Sequence, residues 1–535
     1  MTTTLPAPLT TPPPVPPTQW TLAAGIAGVV TAMVTLAVAE VVSLLLGGIG
    51  NPILSVGSLF IDLVPGWLKT AVIAIFGTGD KIFLFVVLGI LVLALAVVVG
   101  VLQLRKPPYG ILALATVAVI AAGAAASRAD ASLVDAAPTA VGAVAGALFL
   151  RAVIAKLRTW QNAAPPRARS VEALTGKQLE RRSFLTMLTV AAVASAVVGA
   201  GARVMSATAA AVNDLREALT LPAAASPADA VATGDTFDSI DGISSYITPN
   251  ADFYRIDTAL QVPAIDQSTW SLRITGMVEE EIEISFADLL ALPLQENRVT
   301  LTCVSNEVGG NLIGNALWLG YPIRELLARA KPTAGADMVL STSHDGFTAS
   351  TPLEVLTDVG TDALLAVGMN GEPLPLEHGF PVRMVVPGLY GYVSATKWVT
   401  ELKVTTFASD EGYWTSRGWT AKGPIKISSR IDTPRSGYDV DAGTVAVAGV
   451  AWAPHTGISA VDVSIDGGPW QAATLAPVAT VDTWLQWSYA WEATSGSHEI
   501  TVRATDTNGE VQTTTEAPPA PDGSSGLHTI TARVN

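Results

Sequence analysis

Five long apolar stretches dominate the first 206 residues and limit what this chain can fold into. They run over 20–46, 82–104, 109–127, 137–157 and 184–206. Each is about long enough to cross a hydrocarbon core of roughly 30 Å as a helix. A soluble core could not cover so many closely spaced apolar runs. Only 14% of the chain is charged, against roughly 25% in a soluble globular protein. An N-terminal bundle of about five transmembrane helices is therefore expected. A shorter apolar piece, 67–77, follows the breaker Pro65-Gly66 and reads as interfacial or re-entrant. Residues 1–18 are a Pro- and Thr-rich tail.

Basic residues set the orientation. Arg105 and Lys106 lie between the second and third spans. Lys156, Arg158, Arg167, Arg169, Lys177, Arg181 and Arg182 lie between the fourth and fifth. With both loops in the cytoplasm, the N-terminus is cytoplasmic and everything after about residue 207 is outside. The expected layout is a cytoplasmic tail (1–18), a four-span membrane domain (19–158), a basic cytoplasmic loop (159–183) and a fifth span (184–207). A linker (208–240) follows. The fifth span opens on Glu180-Arg181-Arg182-Ser183-Phe184-Leu185, which resembles a twin-arginine export signal, here internal. Glu40 is an acidic residue well inside a span and a functional candidate on that ground.

Charge separates the two halves. Through residue 213 the net charge is +7, and beyond it −22, giving −15 overall. The acidic outer half argues against a nucleic-acid partner. Cys303 is the only cysteine, so an intrachain disulfide, a Cys-based zinc site and a CxxCH haem attachment are all excluded. The five histidines, His344, His378, His455, His498 and His528, lie outside the spans. That excludes a bis-histidine haem within the membrane, and no haem is expected.

The outer half is β-rich with short helices. Trp270, Leu272 and Ile274 alternate, as do Ile282 and Ile284. Ser285 can cap a helix through Leu290. Val299, Leu301 and Cys303 share one face of a strand, with the thiol near its end. Pro322 can open a helix over 322–330. Asn370-Gly371 signals a hairpin between 363–369 and 381–387. From about 430, strands at 443–452, 460–465, 484–491, 500–504 and 529–534 predict an immunoglobulin-like sandwich.

Alone, Cys303 reads more readily as a small buried hydrophobe than as a reactive thiol. Its context changes that. Thr300-Leu301-Thr302-Cys303-Val304-Ser305-Asn306 resembles the cysteine strand of the sulfite oxidase family. Met369-Asn370-Gly371-Glu372-Pro373-Leu374-Pro375-Leu376-Glu377-His378-Gly379-Phe380-Pro381-Val382-Arg383 resembles its pterin-binding stretch, continued by Tyr390-Gly391 through Lys397-Trp398. Ile247-Thr248-Pro249-Asn250 and Phe253-Tyr254-Arg255 resemble its entry segment. The sandwich resembles its dimerisation domain.

The resemblance implies an α+β molybdopterin-binding catalytic domain over 241–428 and an all-β dimerisation domain over 429–535. It implies a molybdenum cofactor, with the Cys303 thiolate as protein ligand to the metal. Arg383 and Lys397 match the family's anion-binding positions, His378 a hydrogen-bonding one, and Thr396 and Arg255 further contacts to the pterin. The reaction implied is a two-electron oxygen-atom transfer. It requires a small-molecule oxygen donor or acceptor and a separate electron carrier, either a redox protein or a quinone. A homodimer in a bacterial cell membrane is the expected assembly.

Two departures limit the substrate. Glu307 stands where sulfite-oxidising members carry an arginine, and Val367 where they carry a tyrosine, so sulfite is disfavoured. Tyr390, Tyr392, Trp414 and Arg417, with Trp419 and Lys422, are candidates to refill the pocket; an aromatic packing belt is the alternative for 412–419. Two other functions fit parts of the sequence: a non-enzymatic surface receptor or adhesion module using the sandwich, and a transporter with an outer sensor domain.

Overall fold

The computed structural model describes residues 17–46, 52–64, 72, 80–126, 133–162, 171–204, 207–232, 234–259, 262–477 and 480–535. They form two compact units, 1–207 and 208–535.

The first unit is helical. Its helices are α1 (Pro17–Leu45), α2 (Pro52–Leu63), α3 (Asp80–Arg105), α4 (Tyr109–Ala126), α5 (Ala137–Asn162) and α6 (Val171–Val204). Five of them, all but α2, are long and apolar enough to cross a membrane. α1 and α3 cross almost backbone to backbone. A Cβ on Gly28 would strike the Ala96 carbonyl, and one on Gly100 the Ala24 carbonyl. Small residues at such crossings let helices pack where no hydrophobic drive separates lipid from protein. Thr31 and Thr35 return their hydroxyls to the carbonyls of Ala27 and Thr31, 2.8 and 2.9 Å away, so neither polar group is left bare among apolar neighbours.

Two expectations change here. α6 begins at Val171, not 184, so most of the stretch read as a basic loop is helix. The apolar-run criterion sees only the lipid-length part of a helix, and the first turns of α6 are polar. α2 had no counterpart in the sequence reading. The 67–77 piece lies outside the described residues, apart from Val72.

The second unit opens with α7 (Ala207–Ala218). The segment read as a linker is not free chain. Val212 is buried, Leu219 and Leu221 pack on the core, and Ser226 bridges to Gln295. Ten strands follow: β1 (Ser271–Gly276), β2 (Ile282–Ser285), β3 (Gln295–Thr302), β4 (Ile313–Pro322), β5 (Met338–Ser343), β6 (Thr348–Pro352), β7 (Leu364–Met369), β8 (Glu372–Pro373), β9 (Arg383–Val385) and β10 (Val399–Thr405). They make two sheets, ordered β2-β1-β10-β5-β6 and β3-β4-β7-β8, with β9 also on β7. Between them lies a core that includes Leu272, Ile274, Leu326, Val367, Trp398 and Leu402. Alternation built β1, where Leu272 and Ile274 are fully buried. The helix α8 (Phe286–Leu290) carries a complete capping box: Ser285 Oγ accepts from Asp288 N, and Asp288 reaches back to Ser285 N. Pro322 is the N-cap of α9 (Ile323–Ala330), one residue outside its expected place.

Asn370 and Gly371 turn with positive φ, 52° and 84°, as a two-residue hairpin needs. The hairpin closes on β8, not on 381–387. β9 returns to the same edge of β7 further along, pairing Leu364 with Val385 and Ala366 with Arg383. The intervening Pro373 and Pro375 forbid a continuous ladder.

The C-terminal part is a sandwich of two sheets with a separate core around Val447, Val463, Trp487, Ile500 and Val502. Its strands at Gly443–Trp452, Ile458–Ile465, Leu485–Ala493, Gly496–Asp506 and His528–Val534 match the expected ones within a few residues. A third small core, Tyr246, Ile313, Val450, Trp452 and Trp484, joins the sandwich to the mixed domain.

Candidate active site

Cys303 lies one residue beyond β3, where the strand ends and the chain turns. Its N–H donates to the Leu312 carbonyl, 2.9 Å, and its carbonyl accepts from Asn306 N, 3.0 Å. Leu312 N in turn donates to Asn306 Oδ1, 2.8 Å. The thiol is therefore held by a closed loop rather than by a flexible end. Burial pushes its pKa up, while the N–H and hydroxyl of Ser305, bonded to the sulfur, oppose that rise. Such a thiol is unreactive by itself and needs a partner cation or metal to ionise. Among the described residues no group of three or more His, Cys, Asp or Glu is placed to hold a metal.

The cations are the feature that decides the site. Arg383, on β9, is 5% exposed. Its guanidinium donates to the carbonyls of His378 (3.1 Å) and Met384 (3.3 Å) and lies 5.0 Å from the centre of the Trp318 ring. No carboxylate lies within ion-pair reach of it among the described residues, and burial pushes its pKa down to about 10. Lys397 is 8% exposed. It pairs with Asp257 at 2.7 Å, donates to the Glu377 carbonyl at 3.0 Å and sits 4.7 Å from the centre of the Trp398 ring. Burial outweighs Asp257 and holds its pKa down at about 8. Arg255 shares the same carboxylate, 3.0 Å away.

Three cations thus stand against one carboxylate. A buried charge without a counterion is costly, so this cluster fits a dianion. Gly379 makes the cluster possible. Its φ is 115°, and a Cβ there would come within 2.9 Å of the Arg383 Cβ and 3.2 Å of the Lys397 Cβ. His378 is neutral. Burial, with Arg383, pushes its pKa down to about 4. Its Nε2 meets the Asn250 carbonyl at 3.1 Å, which places the proton on Nε2.

Two neighbours tie the cluster to the thiol. Tyr254 stacks on Phe253 at 5.3 Å. Burial and Cys303 push its phenol pKa up, while Arg383 pulls it down. Thr302, adjacent to the cysteine, has a buried hydroxyl with no hydrogen-bond partner. An uncompensated dication, an orphaned hydroxyl and a soft thiol side by side fit a phosphorylated, sulfur-ligated metal cofactor.

The other expected residues lie as follows. Thr396 is fully buried; its hydroxyl meets Ser341 Oγ at 2.7 Å and its carbonyl accepts from Met384 N. Tyr390 is near Cys303, and burial pushes its pKa up to about 12, with Asp522 and Cys303 adding to the rise. Tyr392 donates to the Thr420 carbonyl at 2.7 Å. Trp414 packs edge-on against Tyr413 and Trp419, and Arg417 lies 3.6 Å from the centre of the Tyr413 ring. Trp414 and Arg417 thus gather around Tyr413, and Trp419 continues the cluster from Trp414 to Tyr392 at 5.9 Å. Lys422 is exposed, 3.7 Å from Glu354. Glu307 is exposed on the loop after Cys303, and Val367 is fully buried in the core.

Asp257, Gly379 and Thr302 were not singled out by sequence. Asp257 meets Lys397 across 140 positions, and nothing local in the sequence signals such a pairing.

The oxidoreductase molybdopterin binding domain family matches residues 259–414. Human mitochondrial sulfite oxidase is 31% identical over 326 residues, which is 51% of this chain and 58% of that protein. Residues 259–414 are thus similar to the molybdopterin-binding domain of the sulfite oxidases.

The sulfite oxidase of Arabidopsis thaliana is 28% identical over 333 residues, 50% of this chain and 83% of that one. The sulfane dehydrogenase SoxCD of Paracoccus pantotrophus is 26% identical, covering 54% of this chain and 83% of that chain, with a TM-score of 0.47. The bacterial Ig domain family matches residues 428–502. The chain spans 58% of the human relative's length. The match to this domain implies a molybdenum cofactor, and the buried cations are the part of the fold suited to its phosphate.

Proposed function

We propose that this chain is a membrane-anchored, molybdopterin-dependent oxidoreductase that carries out two-electron oxygen-atom transfer at the outer face of a bacterial cell membrane. The observation that carries the reading is the buried pair Arg383 and Lys397, with the part-exposed Arg255 and a single carboxylate, Asp257, beside the Cys303 loop. When bound, the cofactor supplies the two-electron redox chemistry.

The protein's part is binding, orientation and exclusion. Cys303 is the metal's thiolate ligand, and Ser305 donates to the same sulfur. Arg383 and Lys397 hold the phosphate, with Arg255 at the exposed side. Neutral His378 donates to the Asn250 carbonyl and so fixes the segment that carries Phe253 and Tyr254. Tyr390 is the candidate group at the reacting face, since Cys303 acts on its phenol. Glu307 puts a carboxylate on the Cys303 loop, and Val367, buried in the core, brings no polar atom. An uncharged oxide, such as a sulfoxide or an N-oxide, suits this pocket better than sulfite, which a carboxylate repels.

Export through the twin-arginine-like segment, the outward orientation, dimerisation through the sandwich and an electron carrier that is a separate protein or a quinone complete the reading. Metal analysis tests it. Purified protein should carry about one molybdenum per chain, and Cys303→Ser should lose the metal and the activity. Membranes with and without the protein, assayed with sulfoxides, N-oxides and sulfite, should differ most with the uncharged oxides. A metal-free protein, or one whose Cys303→Ser form turns over normally, contradicts it.

A further inference from the structure

Four basic residues of the helical unit, Arg105, Lys156, Arg158 and Arg182, lie at one end of the bundle. Arg105 donates to Thr21 Oγ1 at 3.0 Å, and Arg158 to the carbonyls of Gln103 and Leu104, each 2.9 Å. Trp160 meets Trp20 edge-on at 4.9 Å and leans on Phe184 at 5.8 Å. Residues 20–21, 103–105, 156–160 and 182–184 therefore share one level. At that level an open groove of about 740 Å³ lies between α5 and α6, with Lys156 and Arg182 among its walls. Its other walls are mostly apolar: Phe149, Leu179, Met187 and Val190.

Among the described residues no carboxylate lines the groove. Lys156 Nζ donates to Ser183 Oγ at 2.8 Å, and among the described residues neither cation has an ion pair. Two cations over an apolar trough, at membrane depth, lack only an anion attached to a hydrocarbon chain. We propose that this groove binds a phospholipid of net negative charge. Its phosphodiester sits on Lys156 and Arg182, and one acyl chain lies along Phe149, Met187 and Val190. A zwitterionic lipid brings its own cation and gains less from the pair. Arg182 is half of the Arg181-Arg182 pair read as an export signal, so the groove gives that residue a second use. The inference rests on the bundle's spanning the membrane and not on the redox reading.

Native mass spectrometry of the full chain in detergent, titrated with phosphatidylglycerol or phosphatidylcholine, tests it. Phosphatidylglycerol should be retained in preference. Lys156→Gln with Arg182→Gln should weaken its binding by roughly 20- to 30-fold and leave phosphatidylcholine unchanged. Lys156→Arg with Arg182→Lys should keep the preference. Arg105→Gln, which removes a charge at the same end but outside the groove, should change binding by less than about twofold. The proposal is overturned if the wild type shows no preference, or if the glutamine pair keeps it. It is equally overturned if that pair loses both lipids alike, if the conservative pair fails, or if Arg105→Gln weakens binding as much.

Discussion

Each unit holds one cluster in which cations outnumber carboxylates, but in different surroundings. At the end of the helical bundle Arg182 is exposed and Lys156 half-buried, each beside apolar side chains. In the molybdopterin domain Arg383 and Lys397 are almost fully enclosed by Trp318, Trp398 and backbone carbonyls. The first pair keeps its charge through water and lipid headgroups. The second is short of negative charge, and its depressed pKa values record that deficit. Excess charge at a surface marks an environment, whereas excess charge in a core marks a missing ligand.

Breaking the enclosed side of this comparison should have the larger effects. Cys303→Ser heads the order, with loss of molybdenum and of turnover down to background, read by metal analysis and assay. Arg383→Met should come next, weakening cofactor retention by roughly 10- to 150-fold, the worth of a charged hydrogen bond to phosphate. Apo-protein titrated with cofactor reads this, and Arg417→Met, at an exposed position beside Tyr413, should leave retention unchanged.

Lys397 should make cofactor affinity depend on pH. Its ammonium, which favours the phosphate, is lost in the empty site above about pH 8. Affinity should therefore fall about tenfold per pH unit from 8 toward 10, with proton uptake on binding in that range. Lys397→Arg should flatten the fall.

His378 should affect stability. It is neutral in the fold down to about pH 4, while in the unfolded chain it protonates near 6.5. Between those values the unfolded state binds more protons, so stability is complete above 6.5 and falls as the pH drops to 4. The loss is on the order of 2–3 kcal/mol. Denaturant melts of the apo outer unit across this window measure it, and His378→Asn should remove the slope. The smallest effect expected is on substrate choice: Glu307→Arg should raise sulfite turnover relative to sulfoxide, with little change in metal content.

Much of this was legible in the sequence where the signal was local. Hydropathy gave the five long helices, the Ser285 capping box gave α8, and alternation at Val299, Leu301 and Cys303 put the thiol at a strand end. The ordered motifs from Thr300 to Trp398 gave the cofactor. What was hidden depends on distance or on irregular backbone. Asp257 sits in a segment without periodicity, and only folding brings it to Lys397. Gly379 matters because two side chains from different segments flank it, and no local pattern says so. The partner of the Asn370-Gly371 hairpin was misplaced because prolines cut its returning strand in two. Residues 208–240 read as a connector by composition, yet Leu219 and Leu221 bind that segment to the core. Alanine-rich sequence carries little information on whether a few leucines will find partners.

The central claim is that Cys303 and the buried cations together form the seat of a molybdenum cofactor. X-ray absorption at the molybdenum edge tests it most directly, comparing loaded wild type with Cys303→Ser reconstituted at high cofactor concentration. The wild type should show one more sulfur neighbour at the metal than the variant. Equal sulfur shells in the two proteins, or a wild type that takes up no molybdenum, would contradict the account.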